Sequence, residues 1–354
     1  MLNKKIFVHG SYYNKNFGDF LLIKRVVDEL YPAQVKLPFA NHSVIDEFDG
    51  LIDRIKFKDL QESELCIFGG GGYLGEPPVG ITKWSLNFIR RHFVPFLILK
   101  LFNIKIKIIG AGLGPITKPW LKPFVRYMLK NSEVVMLRDK ESILYANNLY
   151  PNRKYELTTD LAQDINFLNS LVSESASVIS CKYLVVHIGL NVDKNIEDLI
   201  ESHITDLIQS GFNILFISDS PGHDDNLNKN NFFCNKVVEA YPDNISKIPY
   251  KDSSTVINLI KNSSGIITGK LHVGIIACTY SLPVLSLPLH HKTIRYYEDI
   301  ERKSCCILQS DNANVILKKV SLFFSELSTD TRTVLPEHVL KRHALSMDNI
   351  REGI

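Results

Sequence analysis

The chain has 354 residues, 45% of them hydrophobic and 22% charged, which is ordinary for a globular protein and enough for about two cores at roughly 150 residues per domain. A formal net charge of +3 is too small to mark a nucleic-acid binder, and no nucleic acid is expected as a partner. Cys66, Cys181, Cys234, Cys278, Cys305 and Cys306 form no CxxC pair and lack histidines at zinc-finger spacing, so buried reduced thiols in a reducing cytosol are expected.

Met1 to Lys5 lead into the first strand without an apolar signal core, which points to a cytoplasmic location. In the first half, strands are expected at 5–9, 65–68, 105–109, 134–137 and 155–157, and helices at 19–31, 82–102, 119–130 and 140–149. The apolar stretch 88–109 is interrupted by Arg90, Arg91, His92, Lys100, Asn103, Lys105 and Lys107, so it does not span a membrane. Its first half reads as a helix kinked at Pro95, and its second as a strand. The basic and aromatic content of that helix leaves peripheral contact with the inner face of a membrane open, beside packing within its own domain. The Ser-rich stretch 166–181 reads as a linker.

Strands at 183–187, 213–218, 265–268 and 283–287 then alternate with helices at 196–209, 229–241, 253–261, 271–280, 292–301 and 313–326. Cys305-Cys306 reads as a strand with one buried thiol, with redox activity as the alternative. The charged tail is expected to be helical and able to cross back onto the first domain. The expected architecture is α/β: two doubly wound, Rossmann-like domains, 1–165 and 182–330, facing across a cleft, with a tail at 331–354. In such sheets ligands bind beyond the carboxyl ends of the strands.

Five junctions carry polar or glycine-rich sequence at those ends. After the first strand, Gly10 and Gly18 allow close backbone approach, and Asn14, Asn16 and Asp19 stand at a helix start, where Asp19 is a ligand, an N-cap or both. Gly69, Gly70, Gly71 and Gly72 form a run more glycine-rich than a turn needs, which favours a ligand-facing loop with Tyr73 and Glu76 beside it. Gly110 to Pro115 resembles a dinucleotide fingerprint only superficially, because Pro115 comes too soon and no acidic residue ends the next strand. Arg138-Asp139 follows that strand, as polar contacts to a substrate or as a salt bridge or helix cap.

The most informative junction is Gly265 to Cys278. A buried strand ends at Thr268, Gly269 turns the chain, and Lys270 and His272 open a helix that is otherwise apolar. A helix N-terminus offers free N–H groups to phosphate or carboxylate. Lys270 adds a charge, and His272 can exchange a proton near neutral pH. A satisfied core histidine is the alternative for His272, and Gly269 and Lys270 beside it favour function. The next strand exits into His290, His291, Lys292 and Arg295, an anion pocket with Lys270 or a solvated basic loop. No metal is expected, since no carboxylate or Cys completes a ligand set with the histidines.

In this order, Asn16-Phe-Gly-Asp19, Gly69 to Gly72, Gly110 to Pro115, Arg138-Asp139 with Ser142, and Leu271-His272 followed by an apolar helix, the Pro283 strand and Lys292 resemble the polysaccharide pyruvyl transferase family. The resemblance implies a fold like the two-domain GT-B glycosyltransferases. It implies transfer of pyruvate from phosphoenolpyruvate onto two hydroxyls of a cell-surface polysaccharide or its precursor as a cyclic ketal, with an oligosaccharide or lipid-linked sugar as acceptor. No cofactor is implied beyond the donor. The family has Arg before Leu-His where this chain has Lys270, which keeps the charge and loses the fork.

On that resemblance His272 is the catalytic acid and Lys270 holds the donor. Gly269, Leu271, His290, Lys292 and Arg295 complete the donor side. Asn16, Asp19, Gly70, Gly71, Gly72, Tyr73, Glu76 and Arg138 form the acceptor side. The rivals are a nucleotide-sugar glycosyltransferase on the same fold, for which Asp219 and Glu298 are the candidate ribose carboxylates, and a non-catalytic subunit of a polysaccharide assembly complex.

Overall fold

Short β-branched runs alternate with amphipathic helices to give two parallel sheets, each inside its own compact unit. The computed structural model describes residues 5–12, 16–37, 48, 53–54, 57–77, 80–172, 181–187, 193–221, 224 and 234–352. Asn14, residues 173–180 of the expected linker and the first part of the expected helix at 229–241 lie outside the described residues. The first unit comprises Met1–Leu161 with Glu337–Ile354, and the second Ala162–Pro336.

The first unit runs β1 (Lys5–His9), α1 (Phe17–Glu29), β2 (Gln34–Leu37), β3 (Asp53–Arg54), α2 (Phe57–Glu62), β4 (Ser63–Phe68) and β5 (Gly71–Leu74). It continues with α3 (Ile81–Phe88), a π-turn (Ile89–Phe93), α4 (Val94–Leu101), β6 (Lys105–Leu113), a 3₁₀ turn (Pro119–Leu121), α5 (Lys122–Asn131), β7 (Val134–Leu137), α6 (Lys140–Leu149) and β8 (Glu156–Leu157). The sheet order is β3-β2-β1-β4-β6-β7-β8, and β5 pairs with β6. Phe68, Phe88, Phe96, Ile106, Ile108, Val125 and Met128 anchor a core between this sheet and the helices after β5, β6 and β7.

The second unit begins with α7 (Ile165–Leu171), capped by Asp164, so the first part of the expected linker is a helix. Then come β9 (Tyr183–His187), α8 (Lys194–Gln209), β10 (Asn213–Ile217), α9 (Asn235–Ala240), β11 (Ile245–Ile248), α10 (Ser253–Lys261), β12 (Gly265–Thr268), α11 (Leu271–Thr279), β13 (Val284–Ser286), α12 (His291–Asp299) and α13 (Ala313–Ser328). The order β11-β10-β9-β12-β13 sets β9, β10, β12 and β13 side by side, with all their carboxyl ends on one edge. Lys303–Cys305 forms a 3₁₀ turn, not a strand, and Cys306 is buried where it bridges to Ser286.

The last helix, α14 (Glu337–Arg351), packs on α1 and β6 of the first unit. It buries Val339, His343, Met347 and Ile350, and Lys107 Nζ donates to the Asn349 carbonyl at 2.7 Å.

Three local features beyond the sequence reading have physical causes. The helix expected over 82–102 runs on through Pro95 with a π-turn just before it, which accommodates the N–H missing from the proline by widening the ladder by one residue. Strand β6 extends past Ile109 to Leu113 by bulging at Gly110, whose φ is +73°. Short strands β2, β3 and β11 were not expected, because two to four residues at a sheet edge carry too little periodicity to be read.

Candidate active site

At the carboxyl edge of the second sheet, β12 and β13 pair in register through Thr268 and Ser286, so their exits emerge side by side. Beyond β12 the chain turns at Gly269, and the Lys270 N–H donates to Thr268 Oγ1 at 3.0 Å. Beyond β13 it passes Pro288 and enters α12. Helices α11 and α12 therefore start together at this edge. They pack closely because Gly274 has no Cβ: one there would lie 2.2 Å from the buried Tyr297 hydroxyl.

The caps of these two helices differ from those of six others in the chain. Asn16, Asp139, Asp164, Asp193, Asp252 and Asn312 each accept backbone N–H bonds at the start of a helix. Helix α11 is instead preceded by Lys270, and α12 by His290, and neither side chain caps its helix. Each helix therefore sets a basic residue, and not a capping oxygen, beside the positive end of its dipole, where an anion is favoured. Burial lowers the pKa of His290, and the charges of Lys292 and Lys270 lower it further, which places all three in one electrostatic neighbourhood.

His187, missed by sequence reasoning, and Asp219, read there only as a candidate ribose carboxylate, complete the cluster. His187 ends β9 and Asp219 follows β10, and both are buried. The Asp219 carboxylate reaches His187 Nε2 at 3.2 Å with one oxygen and Lys270 Nζ at 3.5 Å with the other. Asp219 thus orients Lys270 rather than standing ready for a ribose. Glu298, the other candidate for a ribose, pairs with Lys303 near the far end of α12. The signal for His187 was its place as a polar residue closing an apolar strand. A carboxylate's partner two strands away leaves no such local mark.

The sequence-predicted donor residues fall as follows. His272 is half-buried in the first turn of α11, with its Nε2 shielded from solvent. Leu271 is buried, so its side chain cannot line a donor site and only its backbone is in place to contribute. Lys292 is exposed in the first turn of α12, and Arg295 lies one turn on. A cavity of about 580 Å³ opens nearby, but its lining holds the carboxylates of Asp193 and Asp311 beside Ile196, Leu199 and Ile316 and no Lys, Arg or His, which disfavours an anion.

The first unit treats its candidates differently. Asn16, not Asp19, caps α1, accepting from the N–H groups of Gly18 (3.0 Å) and Asp19 (3.3 Å). Gly71 and Gly72 belong to strand β5, not to a loop. Gly71 has φ +124°, a conformation that favours glycine, and a Cβ on Gly70 would lie 3.2 Å from the Gly110 carbonyl, so local backbone conformation and close packing favour glycine at both positions. Tyr73 is buried: its hydroxyl donates to the Gly69 carbonyl at 2.9 Å and its ring stacks on His92. Glu76 accepts from Thr117 N, Thr117 Oγ1 and Lys118 N, bracing the loop after β6. Arg138 is buried over Gly112 and pairs with Asp160 at 3.3 Å and with Asp139 at 3.7 Å. Of the acceptor set, Asn16, Asp19, Gly72 and Glu76 keep partial exposure.

Also buried at this edge is a chain of rings. His9 contacts the Tyr12 hydroxyl through Nδ1 and His92 Nδ1 through Nε2, both at 3.0 Å. Burial, reinforced by the charge of Arg91, pushes the pKa of His92 down to about 3, and burial pushes that of His9 well below its usual range. Both imidazoles are neutral at pH 7.

The family model for polysaccharide pyruvyl transferases matches residues 16–291, a span that takes in both helix N-termini of the basic cluster up to His291. The chain belongs to the polysaccharide pyruvyl transferase family. Membership makes it a transferase with a sugar or polysaccharide acceptor. Among solved structures it is similar to the UDP-GlcNAc 2-epimerase of Neisseria meningitidis bound to UDP-GlcNAc, at 13% identity and TM-score 0.58 over 99% of each chain. It is also similar to the UDP-GlcNAc 2-epimerase of Methanocaldococcus jannaschii, at 11% identity and TM-score 0.59 over 98% of this chain and 99% of that one. A glycosyltransferase of Rickettsia africae matches at 14% identity and TM-score 0.53 over 99% and 94%. These likenesses establish the fold of this pyruvyl transferase family member as α/β, Rossmann-like and of GT-B type. A search of curated proteins returned no match.

Proposed function

We propose that the protein transfers pyruvate from phosphoenolpyruvate onto two hydroxyls of one sugar, forming a cyclic ketal and releasing phosphate. The observation that carries this reading is the pair of helix N-termini with basic, non-capping residues, Lys270 and His290, at one sheet edge. Phosphoenolpyruvate presents a carboxylate and a phosphate, and two adjacent anion sites suit a donor with two anionic groups. Lys270 would bind one group, held in place by Asp219. The start of α12 with Lys292 would bind the other.

His272 then acts as general acid. It delivers a proton to the donor methylene, which becomes the methyl group, and C2 becomes electrophilic. One sugar hydroxyl attacks C2 and its proton restores His272. The C2–O bond to phosphate breaks, the second hydroxyl adds to C2, and its proton leaves with the phosphate. No electrons are exchanged, so no redox cofactor enters.

Partial exposure of Asn16, Asp19, Gly72 and Glu76 supports an acceptor site at the first sheet's carboxyl edge. The test is mass spectrometry of candidate cell-envelope oligosaccharides incubated with protein and phosphoenolpyruvate. A gain of about 70 Da with equimolar phosphate is expected for one ketal, as bond bookkeeping requires. Consumption of a nucleotide sugar instead, with phosphoenolpyruvate untouched, would overturn the reading in favour of glycosyl transfer.

A further inference from the structure

Charge is unevenly spread along this chain. Residues 77–132 hold ten of its 41 Lys and Arg and none of its 38 Asp and Glu, which leaves 31 cations against 38 acids everywhere else. That segment is α3, the π-turn, α4, β6 and α5. Both of its helical stretches follow strands that step the same way across the sheet, so right-handed crossovers put them on one face. They touch along their length: the Phe93 ring lies 4.7 Å from that of Phe124 and 5.9 Å from that of Tyr127.

The outward side of this helix pair is apolar as well as basic. Leu86 is 64% exposed, Leu101 73% and Trp120 47%, and Val94 and Tyr127 are also exposed. Lys83, Leu86, Arg90, Val94 and Leu101 recur at helical spacing through α3 and α4, the π-turn included. Trp120, Pro123, Tyr127 and Lys130 do the same beside and along α5, with Lys122 adjacent. An exposed Trp and two exposed Leu stand here among cations, and three of the four outward cations, Lys83, Lys122 and Lys130 beside Arg90, are lysines, a residue depleted at protein–protein interfaces. Aromatic and aliphatic groups alternating with Lys and Arg match the interface of an anionic bilayer, where chains insert and headgroups neutralise.

We propose that this face docks the protein on an anionic phospholipid surface. Among the described residues no helix is long and apolar enough to cross a membrane, so the contact is peripheral. The same helices begin at the carboxyl edge of the first sheet, where Glu76 holds Thr117 and Lys118. Docking there would bring a lipid-linked acceptor to that edge; this last consequence rests on the function proposed above, whereas the surface itself does not.

The test is vesicle flotation of the full chain without donor or acceptor, so its outcome is separate from that of the transfer assay. Phosphatidylcholine vesicles containing about 30% phosphatidylglycerol should carry the protein upward, with a blue shift in Trp fluorescence, and pure phosphatidylcholine should not. Each cation at such a surface contributes about fivefold to partitioning, so combined Lys83→Glu, Arg90→Glu, Lys122→Glu and Lys130→Glu should reduce it at least about 100-fold. Because a quadruple reversal can impair folding, Trp120→Ala with Leu101→Ser gives a second measure, an expected loss of about tenfold. Failure of the wild type to float with anionic vesicles overturns the proposal. So does binding that Trp120→Ala with Leu101→Ser leaves unchanged and that heparin or RNA abolishes, since that outcome marks a general polyanion site.

Discussion

The two sheets end in edges that look alike in sequence and differ in structure. In the first unit, the polar residues near the strand ends turn inward: Arg138 to Asp160, Tyr73 to the Gly69 carbonyl, Glu76 to the 117–118 backbone, His9 to His92. In the second, Lys270 and His290 stand at helix starts they do not cap. Polar groups in the first unit complete local backbone needs, whereas Lys270 and His290 place basic side chains at helix starts where an anion is favoured. The difference shows that a glycine or charge at a strand end does not by itself say which of these it serves.

The contrast breaks most visibly at His272. Replacing it with Asn keeps some hydrogen bonding and removes the proton, so turnover should fall about 100- to 10,000-fold with donor affinity nearly unchanged. Turnover and melting temperature measured on one preparation decide the matter. Near-normal turnover in folded protein would remove His272 from the catalytic groups.

Next in size is donor binding. Lys270→Ala should weaken phosphoenolpyruvate roughly 10- to 100-fold, as expected for losing a charge-assisted hydrogen bond, and high salt should weaken wild-type binding as well. Lys270→Arg should retain or improve affinity, since the guanidinium fork binds carboxylate and phosphate in two places. Calorimetry showing equal affinity for Lys270→Ala and wild type would mean that the donor sits elsewhere.

The inward-facing edge should respond to pH instead. His92 has a folded pKa of about 3 against an ordinary value of 6.5, so the unfolded chain binds the proton first. Stability contributed by the neutral ring is therefore complete above about pH 6.5 and falls as pH drops toward 3, by up to about 1.4 kcal/mol per pH unit. Thermal melts between pH 7 and 4 should show a shallower decline for His92→Gln than for wild type, although the variant is less stable at pH 7. Parallel curves would show that His92 is not the group that titrates. The smallest expected effect is that of chelation: the acid–base chemistry proposed needs no metal, and turnover in EDTA should match the untreated enzyme. Loss restored by one divalent ion would require a new scheme.

Much of the fold was legible because periodicity survives in long elements. Helix α6 and helix α10 were expected with the bounds they have, and every strand of the second sheet except β11 was foreseen. What escaped was short or depended on distant partners. Nothing local distinguishes Asn16 from Asp19 as a cap, and Tyr73 and Arg138 were assigned to a ligand because their partners, His92 and Asp160, stand 19 and 22 residues away. At the site, Lys270 and His272 could be read from a strand-to-helix junction, whereas the His187–Asp219 pair is made by the order of strands in the sheet.

The return of α14 to the first unit also orders events during synthesis. The second unit is continuous from Ala162 to Pro336 and can close its core as soon as it leaves the ribosome. The first unit, although translated earlier, lacks Val339, Met347, Ile350 and the carbonyl that receives Lys107 until the last helix emerges. Its packing against α14 is thus completed only after the whole second unit has been made. A nascent chain arrested before Glu337 should show protease resistance in the later-made half and sensitivity in the earlier one.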